Sequence, residues 1–275
     1  MFVQEDMFLL ENQIPYQVLT EVMKVVHDVD WELKIIRFID GNILAAETRR
    51  RRRLVVINDR IPTTINHLLE LLQTRLTKDK TMDQLPHDWY TFGNANELME
   101  VGRVRFKPSQ ARTLARIKFT KSWPDANIEL PAIIVNDSTK PIMLNLVAYE
   151  MCSNDTNASW VTSYICLLDS LIHHPDDAMV LRNAGILDNR LGSDEEVVQL
   201  FNEIGKDLVP NNYIYSDARR DIQKHYERWR NTMVAQLKRE YIRNPWQFTG
   251  ITFGVLSLYF AGLQTYFTIW GKGSH

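Results

Sequence analysis

Cysteine is scarce in this chain, with two residues among 275, Cys152 and Cys166. Two cysteines cannot form the disulfide framework of a small secreted scaffold, and neither has an obvious base beside it in the sequence. An excess of one charge is also lacking, because 32 basic and 34 acidic residues leave a net charge of −2. We therefore expect a reducing compartment and no general attraction to nucleic acid.

Recognisable catalytic motifs are lacking as well. The sequence contains no Gly-rich phosphate loop and no G-x-S-x-G, H-E-x-x-H or C-x-x-C pattern. The nearest approach to a reactive cluster is His173-His174 beside Asp176 and Asp177, and adjacent histidines point to different sides of a helix. We expect no enzymatic activity, no cofactor and no metal site. The alternative is a hydrolase or transferase centred on His173, Asp176 and Asp177.

Charge is absent from the C-terminal stretch Trp246 to Trp270, which reads WQFTGITFGVLSLYFAGLQTYFTIW. A helix of this length exceeds the ~30 Å hydrocarbon thickness of a bilayer, and aromatic residues mark both of its ends. The run predicts a single-pass transmembrane helix over 244–270, followed by a short tail over 271–275. The membrane is thus the first partner that the sequence predicts.

Three residues inside this run are predicted to matter for packing. Gly250 and Gly254 form a small-xxx-small step that lets another helix approach, so self-association through this helix is an expectation. Gln264 is the only amide in the inner part of the run and needs a polar partner in hydrocarbon. A protein partner of unspecified identity is also expected.

Basic residues predict the orientation of the span. Arg228, Arg230, Lys238, Arg239 and Arg243 precede it and only Lys272 follows it, which places the N-terminal body in the cytosol, at the plasma membrane or an endomembrane. Three sequons would be glycosylated only if the body were lumenal or extracellular, and they begin at Asn136, Asn154 and Asn157.

Five consecutive arginines, Arg49, Arg50, Arg51, Arg52 and Arg53, interrupt the N-terminal part. Such a run is typical of a solvated loop that repels itself. The functional interpretations are contact with an acidic partner, contact with anionic lipid, or a nuclear address.

Hydrophobic periodicity predicts a mainly helical α+β fold. Residues 1–100 read as a helical part with a variable loop, in which Pro15 ends one helical turn and starts another. Residues 101–243 read as a small antiparallel sheet followed by a helical body, because short alternating runs lie between Val104 and Val135. Ser193 to Glu196 has the pattern of a helix-capping box.

Several strings resemble the plant domain of unknown function 247 family, also called the UPF 0481 group. They are DMFLLENQIPYQVL (6–19), IELPAIIVNDSTKPIMLNLVAYEMC (128–152), VTSY and LLDSLI within 161–172, GILDNRLGSDEEVVQLFNEI (185–204) and REYIRNPWQF (239–248), in the order in which the family has them. The resemblance implies a plant protein with a C-terminal hydrophobic helix and no established enzymatic activity or cofactor. It also implies a role in recognition or signalling, since some members are associated with self-incompatibility.

One departure from the family pattern concerns the N-terminus. Family members usually carry a further segment before the LLENQIP helix, whereas this chain starts almost on the helix itself. We therefore expect a short member that lacks this segment. The resemblance assigns no catalytic residue to any position of the chain.

Overall fold

The structure is a computed structural model that describes residues 6–25, 30–43, 65–77, 92–111, 113–152, 159–243 and 245–270. Its contacts divide the chain into two compact units, Met1–Glu227 and Arg228–His275. The boundaries predicted near residues 100 and 243 stay predictions.

Helices make up most of the described chain. In chain order they are α1 (Tyr16–Val25), α2 (Trp31–Ile43), α3 (Leu68–Leu76), α4 (Ala95–Glu100), α5 (Thr139–Cys152), α6 (Trp160–Leu171), α7 (Pro175–Asn183), α8 (Asp194–Gly205), α9 (Ser216–Arg243) and α10 (Pro245–Trp270). A short 3₁₀ turn at Leu10–Asn12 precedes α1. The mainly helical prediction is confirmed.

The strands form two small sheets. The first contains β1 (Val104–Pro108), β2 (Lys118–Ser122) and β3 (Asp125–Leu130) in the order β1-β3-β2, and the second pairs β4 (Ile133–Val135) with β5 (Leu187–Asn189). β3 runs antiparallel to β2 but parallel to β1, and β4 runs parallel to β5. The prediction of a purely antiparallel sheet is therefore wrong.

The two pairings of β3 differ in how the strands are connected. A two-residue turn at Trp123-Pro124 joins β2 to β3 and makes that pair an antiparallel hairpin. β1 pairs with the other edge of β3 and runs parallel to it, without a direct turn between the two strands. β5 has only three residues, too few to show a strand pattern in the sequence.

One continuous core fills the first unit. Its largest fully buried side chains include Trp160, Tyr164 and Phe201, and the rings of Trp160 and Tyr215 meet edge to face at 5.7 Å. Ile222 and Tyr226 add the first turns of α9 to this core. The core therefore draws on both sheets and on helices from distant parts of the sequence.

The turn predicted at Pro15 is present, and its amide side chain ties it to a distant helix. The Gln13 side-chain amide donates to the carbonyls of Met7, at 3.0 Å, and Leu9, at 2.7 Å, while its oxygen accepts from the Leu69 backbone N–H at 3.0 Å. The Ser193 half of the predicted capping box is confirmed, because Ser193 Oγ accepts from the Glu196 backbone N–H at 3.3 Å. The Glu196 carboxylate accepts the N–H of Gly192, at 3.2 Å, the residue before the N-cap position.

Candidate functional site

The longest uncharged element, α10, presents large apolar side chains to solvent. Phe253, Val255, Leu258, Tyr259 and Phe260 are each more than 60% exposed. Successive residues of a helix point about 100° apart, so these five positions lie on different sides of it. A helix that is apolar on every side ordinarily lies in a protein core or in lipid. α10 is therefore the first candidate for a functional surface.

The residues of α10 that were predicted to anchor the helix or to pack against a partner differ in how far the structure describes them. A Cβ atom built on Gly250 or Gly254 would meet no other atom within 4 Å, so this side of the helix is open. Gln264 is exposed. The side chains of Trp246 and Trp270 lie outside the described ones, although both residues belong to the helix. The predicted self-association stays a prediction.

The membrane-spanning part of the prediction is not supported. Among the residues that the structure describes, no helix combines the length and the apolarity needed to cross a membrane. The helix itself is present, as 26 residues from Pro245 to Trp270. Polar residues such as Thr249, Thr252 and Gln264 lie among its apolar ones and lower its mean hydropathy.

The cluster considered for catalysis has a structural use instead. Asp177 is fully buried, and its carboxylate accepts the backbone N–H groups of His173 at 3.0 Å, His174 at 2.9 Å and Asn96 at 2.8 Å. Asp176 is exposed, as are both histidines. The carboxylate of Asp177 thus caps the start of α7 and also binds the first turn of α4.

A second buried carboxylate, Glu150 on α5, was missed by the sequence analysis. It accepts the Val161 N–H at 2.8 Å and, from Thr162, the N–H at 3.0 Å and the hydroxyl at 2.8 Å. Burial raises the pKa of Glu150, and these hydrogen bonds, with one from Gln73, oppose the rise. A lone acid among the apolar residues of α5 was the only signal. Glu150 caps α6 from another helix.

Neither cysteine forms a disulfide, and Cys166 is not set up as a nucleophile. Burial raises the pKa of its thiol to about 11, while the Arg219 guanidinium opposes the rise and Asp169 adds to it. A thiol with such a pKa stays protonated near neutral pH, and the protonated form is a poor nucleophile. Both cysteines were expected to be buried packing residues, but Cys166 is half-buried and Cys152 is exposed.

Metal ligands do not converge in the part of the chain that can be described. Within it, no group of three or more His, Cys, Asp or Glu side chains could hold a metal ion.

One of the three predicted sequon asparagines can be placed. Asn136 lies in the turn before α5, where its side-chain oxygen accepts the Ser138 N–H at 3.1 Å. The arginines at 49–53 and the sequons at Asn154 and Asn157 lie outside the described residues.

A comparison with known proteins identifies the family. The model of DUF247, a plant protein family of unknown function, matches residues 1–260. The chain belongs to this family. The resemblance predicted from five ordered strings is therefore confirmed. No solved structure matches this DUF247 protein.

Two relatives come from Arabidopsis thaliana. The UPF0481 protein At3g47200 is 24% identical over 280 residues, which cover 90% of this chain and 55% of the relative. At3g02645, named for the same UPF0481 family, is 28% identical over 178 residues, which cover 64% of this chain and 33% of the relative. The DUF247 chain thus spans about half, or less, of the length of these relatives.

Proposed function

We propose that this DUF247 protein is a recognition or signalling protein that works through protein contacts and is held at a membrane by α10. The observation that carries the attachment is the exposure of apolar side chains on every side of α10, with no charge between Trp246 and Trp270. Removal of such a surface from water is favourable, by about 25 cal/mol per Å² of apolar area buried.

The attachment that we propose is association of α10 with the apolar part of a bilayer. α10 has no charged face to keep in water, so the proposed contact is between its apolar side chains and the acyl chains. Tyr266, which is 58% exposed near the C-terminal end of the helix, suits the headgroup boundary, since tyrosine has an apolar ring and a polar tip. The basic residues before α10 favour a cytosolic body, at the plasma membrane or an endomembrane.

The recognition role rests on the use of the polar residues in the first unit. Asp177 and Glu150 are buried carboxylates of the described chain. Both accept hydrogen bonds from backbone N–H groups at the starts of helices. We therefore propose a protein without enzymatic activity, which acts by binding.

Cell fractionation tests the attachment. The full chain and a chain ending at residue 243 are expressed in plant cells, and membranes are pelleted and washed with carbonate. Before the carbonate wash, we expect the full chain in the membrane pellet and the shorter chain in the supernatant. The wash then separates two kinds of attachment: release of the full chain indicates attachment at the surface, and retention indicates insertion into the bilayer. Equal distribution of the two chains before the wash would contradict the proposal.

A glycosidase gel shift tests the orientation. A cytosolic body predicts no change in mobility after treatment with a peptide N-glycosidase. A shift that disappears in Asn136→Gln would place the first unit on the lumenal or extracellular side, and it would contradict the proposed orientation while leaving the attachment in place.

A further inference from the structure

The outer face of the three-stranded sheet is polar, whereas its inner face belongs to the core. Val104, Ala126, Ile128 and Leu130 point inward and are almost fully buried. The cross-strand register places Arg105, Asn127 and Thr120 in one outward row, and Lys107, Glu129 and Lys118 in the next. Alternation of this kind leaves one face of a sheet open to water.

Cations outnumber carboxylates on this outer face. Arg103 and Arg105 both form ion pairs with the carboxylate of Asp125, at 3.3 and 2.8 Å. Glu129 stands between Lys107 and Lys118 in the register, and no ion pair joins either lysine to a described residue. Among the described residues of this face, four cations accompany two carboxylates, in a protein whose net charge is −2.

An exposed tryptophan adjoins the same face. Trp123 forms the tip of the β2–β3 hairpin and is 83% exposed. It directly follows Ser122, which pairs with Asp125 in the register, so it lies at the end of the sheet where the two arginines are held. Tryptophan and arginine are the residue types most enriched where binding energy concentrates in protein interfaces.

We propose that this surface binds an acidic segment of a partner protein. The basic sheet face consists of Arg103, Arg105, Lys107 and Lys118, with Trp123 at one end. Residues two apart on a strand lie ~6.6–6.8 Å apart, and neighbouring strands ~4.8 Å apart, so the cations of β1 and β2 lie within reach of one short peptide. The partner's carboxylates pair with the cations, and an apolar side chain covers Trp123.

The two carboxylates on the face favour a peptide over a nucleic acid. Asp125 and Glu129 interrupt the rows of cations, and a continuous phosphate backbone would pass over both of them. An acidic peptide can place its amides or hydroxyls at these two positions. The inference deepens the proposed recognition role and rests on it, because it names the surface and the chemistry of the partner.

Fluorescence anisotropy tests the inference. The probe is a labelled peptide of about ten residues in which Glu alternates with Ser around one Leu, a pattern that repeats at the strand period. It is titrated with the full chain in a non-ionic detergent. We expect binding that weakens as salt rises, and at least tenfold weaker binding for Lys107→Glu with Lys118→Glu. Trp123→Ala should weaken binding without changing the salt dependence.

Matched controls decide the outcome. Lys206→Glu with Lys224→Glu makes the same change in net charge at two exposed lysines outside the basic sheet face and should keep the affinity within about twofold. The inference would be overturned if both charge reversals weakened binding equally, or if a peptide with Gln in place of Glu bound equally well. Tighter binding of a single-stranded oligonucleotide, or no binding at all, would also overturn it. None of these results bears on α10, because membrane attachment is measured separately.

Discussion

Two acidic side chains of the kind used in active sites serve here to start helices. Asp177 supplies the acceptor for the N–H groups at the beginning of α7 and for one on α4. Glu150 does the same for α6 from its place on α5. The first N–H groups of a helix have no partner within the helix, and a carboxylate satisfies them strongly.

Removal of the Asp177 carboxylate should destabilise the first unit. In Asp177→Ala, three backbone N–H groups lose a charged acceptor at a site that is fully buried. We expect a loss of about 3–5 kcal/mol in the free energy of unfolding, measured with urea. The adjacent and exposed Asp176→Ala should change it by less than about 0.5 kcal/mol. Similar losses for the two variants would show that these hydrogen bonds contribute little.

The raised pKa of Glu150 predicts a pH dependence of known sign. A folded-state pKa above the ordinary 4.5 means that the folded chain binds more protons than the unfolded chain. The contribution of this carboxyl to stability is then fully present below about 4.5 and is lost as the pH rises through the folded-state pKa. The unfolding free energy of wild type minus that of Glu150→Gln should therefore fall as the pH rises from about 4.5. A rise over that interval would refute the assignment.

The two cysteines should differ in reactivity. With a pKa of about 11, only about one Cys166 thiol in a thousand is ionised at pH 8. Cys152 is exposed at the end of α5 and provides an internal comparison. We expect iodoacetamide to modify Cys152 well before Cys166 in the folded chain, with the two sites resolved by mass spectrometry after digestion. Faster modification of Cys166 would mean that its surroundings activate the thiol.

At the scale of elements, short side chains join parts of the chain that are far apart in sequence. Gln13 bonds two carbonyls in the N-terminal turn and the N–H of Leu69 at the start of α3. The backbone N–H of Tyr16, the first residue of α1, also donates to the carbonyl of Asn66, at 2.6 Å. These contacts seat the N-terminal turn on α3.

Gln13→Ala should loosen this junction. Three hydrogen bonds disappear, which we expect to cost about 2 kcal/mol and to speed hydrogen exchange at the Leu69 amide. Asn12→Ala is the matched control, because the Asn12 amide makes one exposed bond, to the carbonyl of Asp6. Equal exchange rates in the two variants would show that Gln13 does not hold the elements together.

Local features of the fold could be predicted from the sequence, and distant pairings could not. The Pro15 turn and the Ser193 cap each depend on residues within four positions of each other. The parallel pairing of β1 with β3, and of β4 with β5 across some fifty residues, depends on contacts that no short pattern encodes. The capping role of Glu150 was missed because its partners belong to another helix, and the bond from Asn96 to Asp177 likewise joins residues that are 81 positions apart.

At the scale of the whole molecule, the near-neutral composition conceals two unlike surfaces. One is the basic sheet face, where cations exceed carboxylates. The other is α10, which has no charged side chain and exposes apolar ones on every side. The acidic-segment binding proposed for the first and the membrane contact proposed for the second would both suit a protein that acts by contact.

Liposome flotation of the purified full chain tests the central claim, attachment through α10. Phe253→Asp with Leu258→Asp places two charges on the exposed apolar surface of α10, and each charge costs about 2.5–3.5 kcal/mol in the apolar part of a bilayer. Met233→Asp adds a charge on α9 as the control. We predict that wild type and the control float with the vesicles and that the double variant stays at the bottom. Flotation of all three proteins to the same extent would contradict the claim.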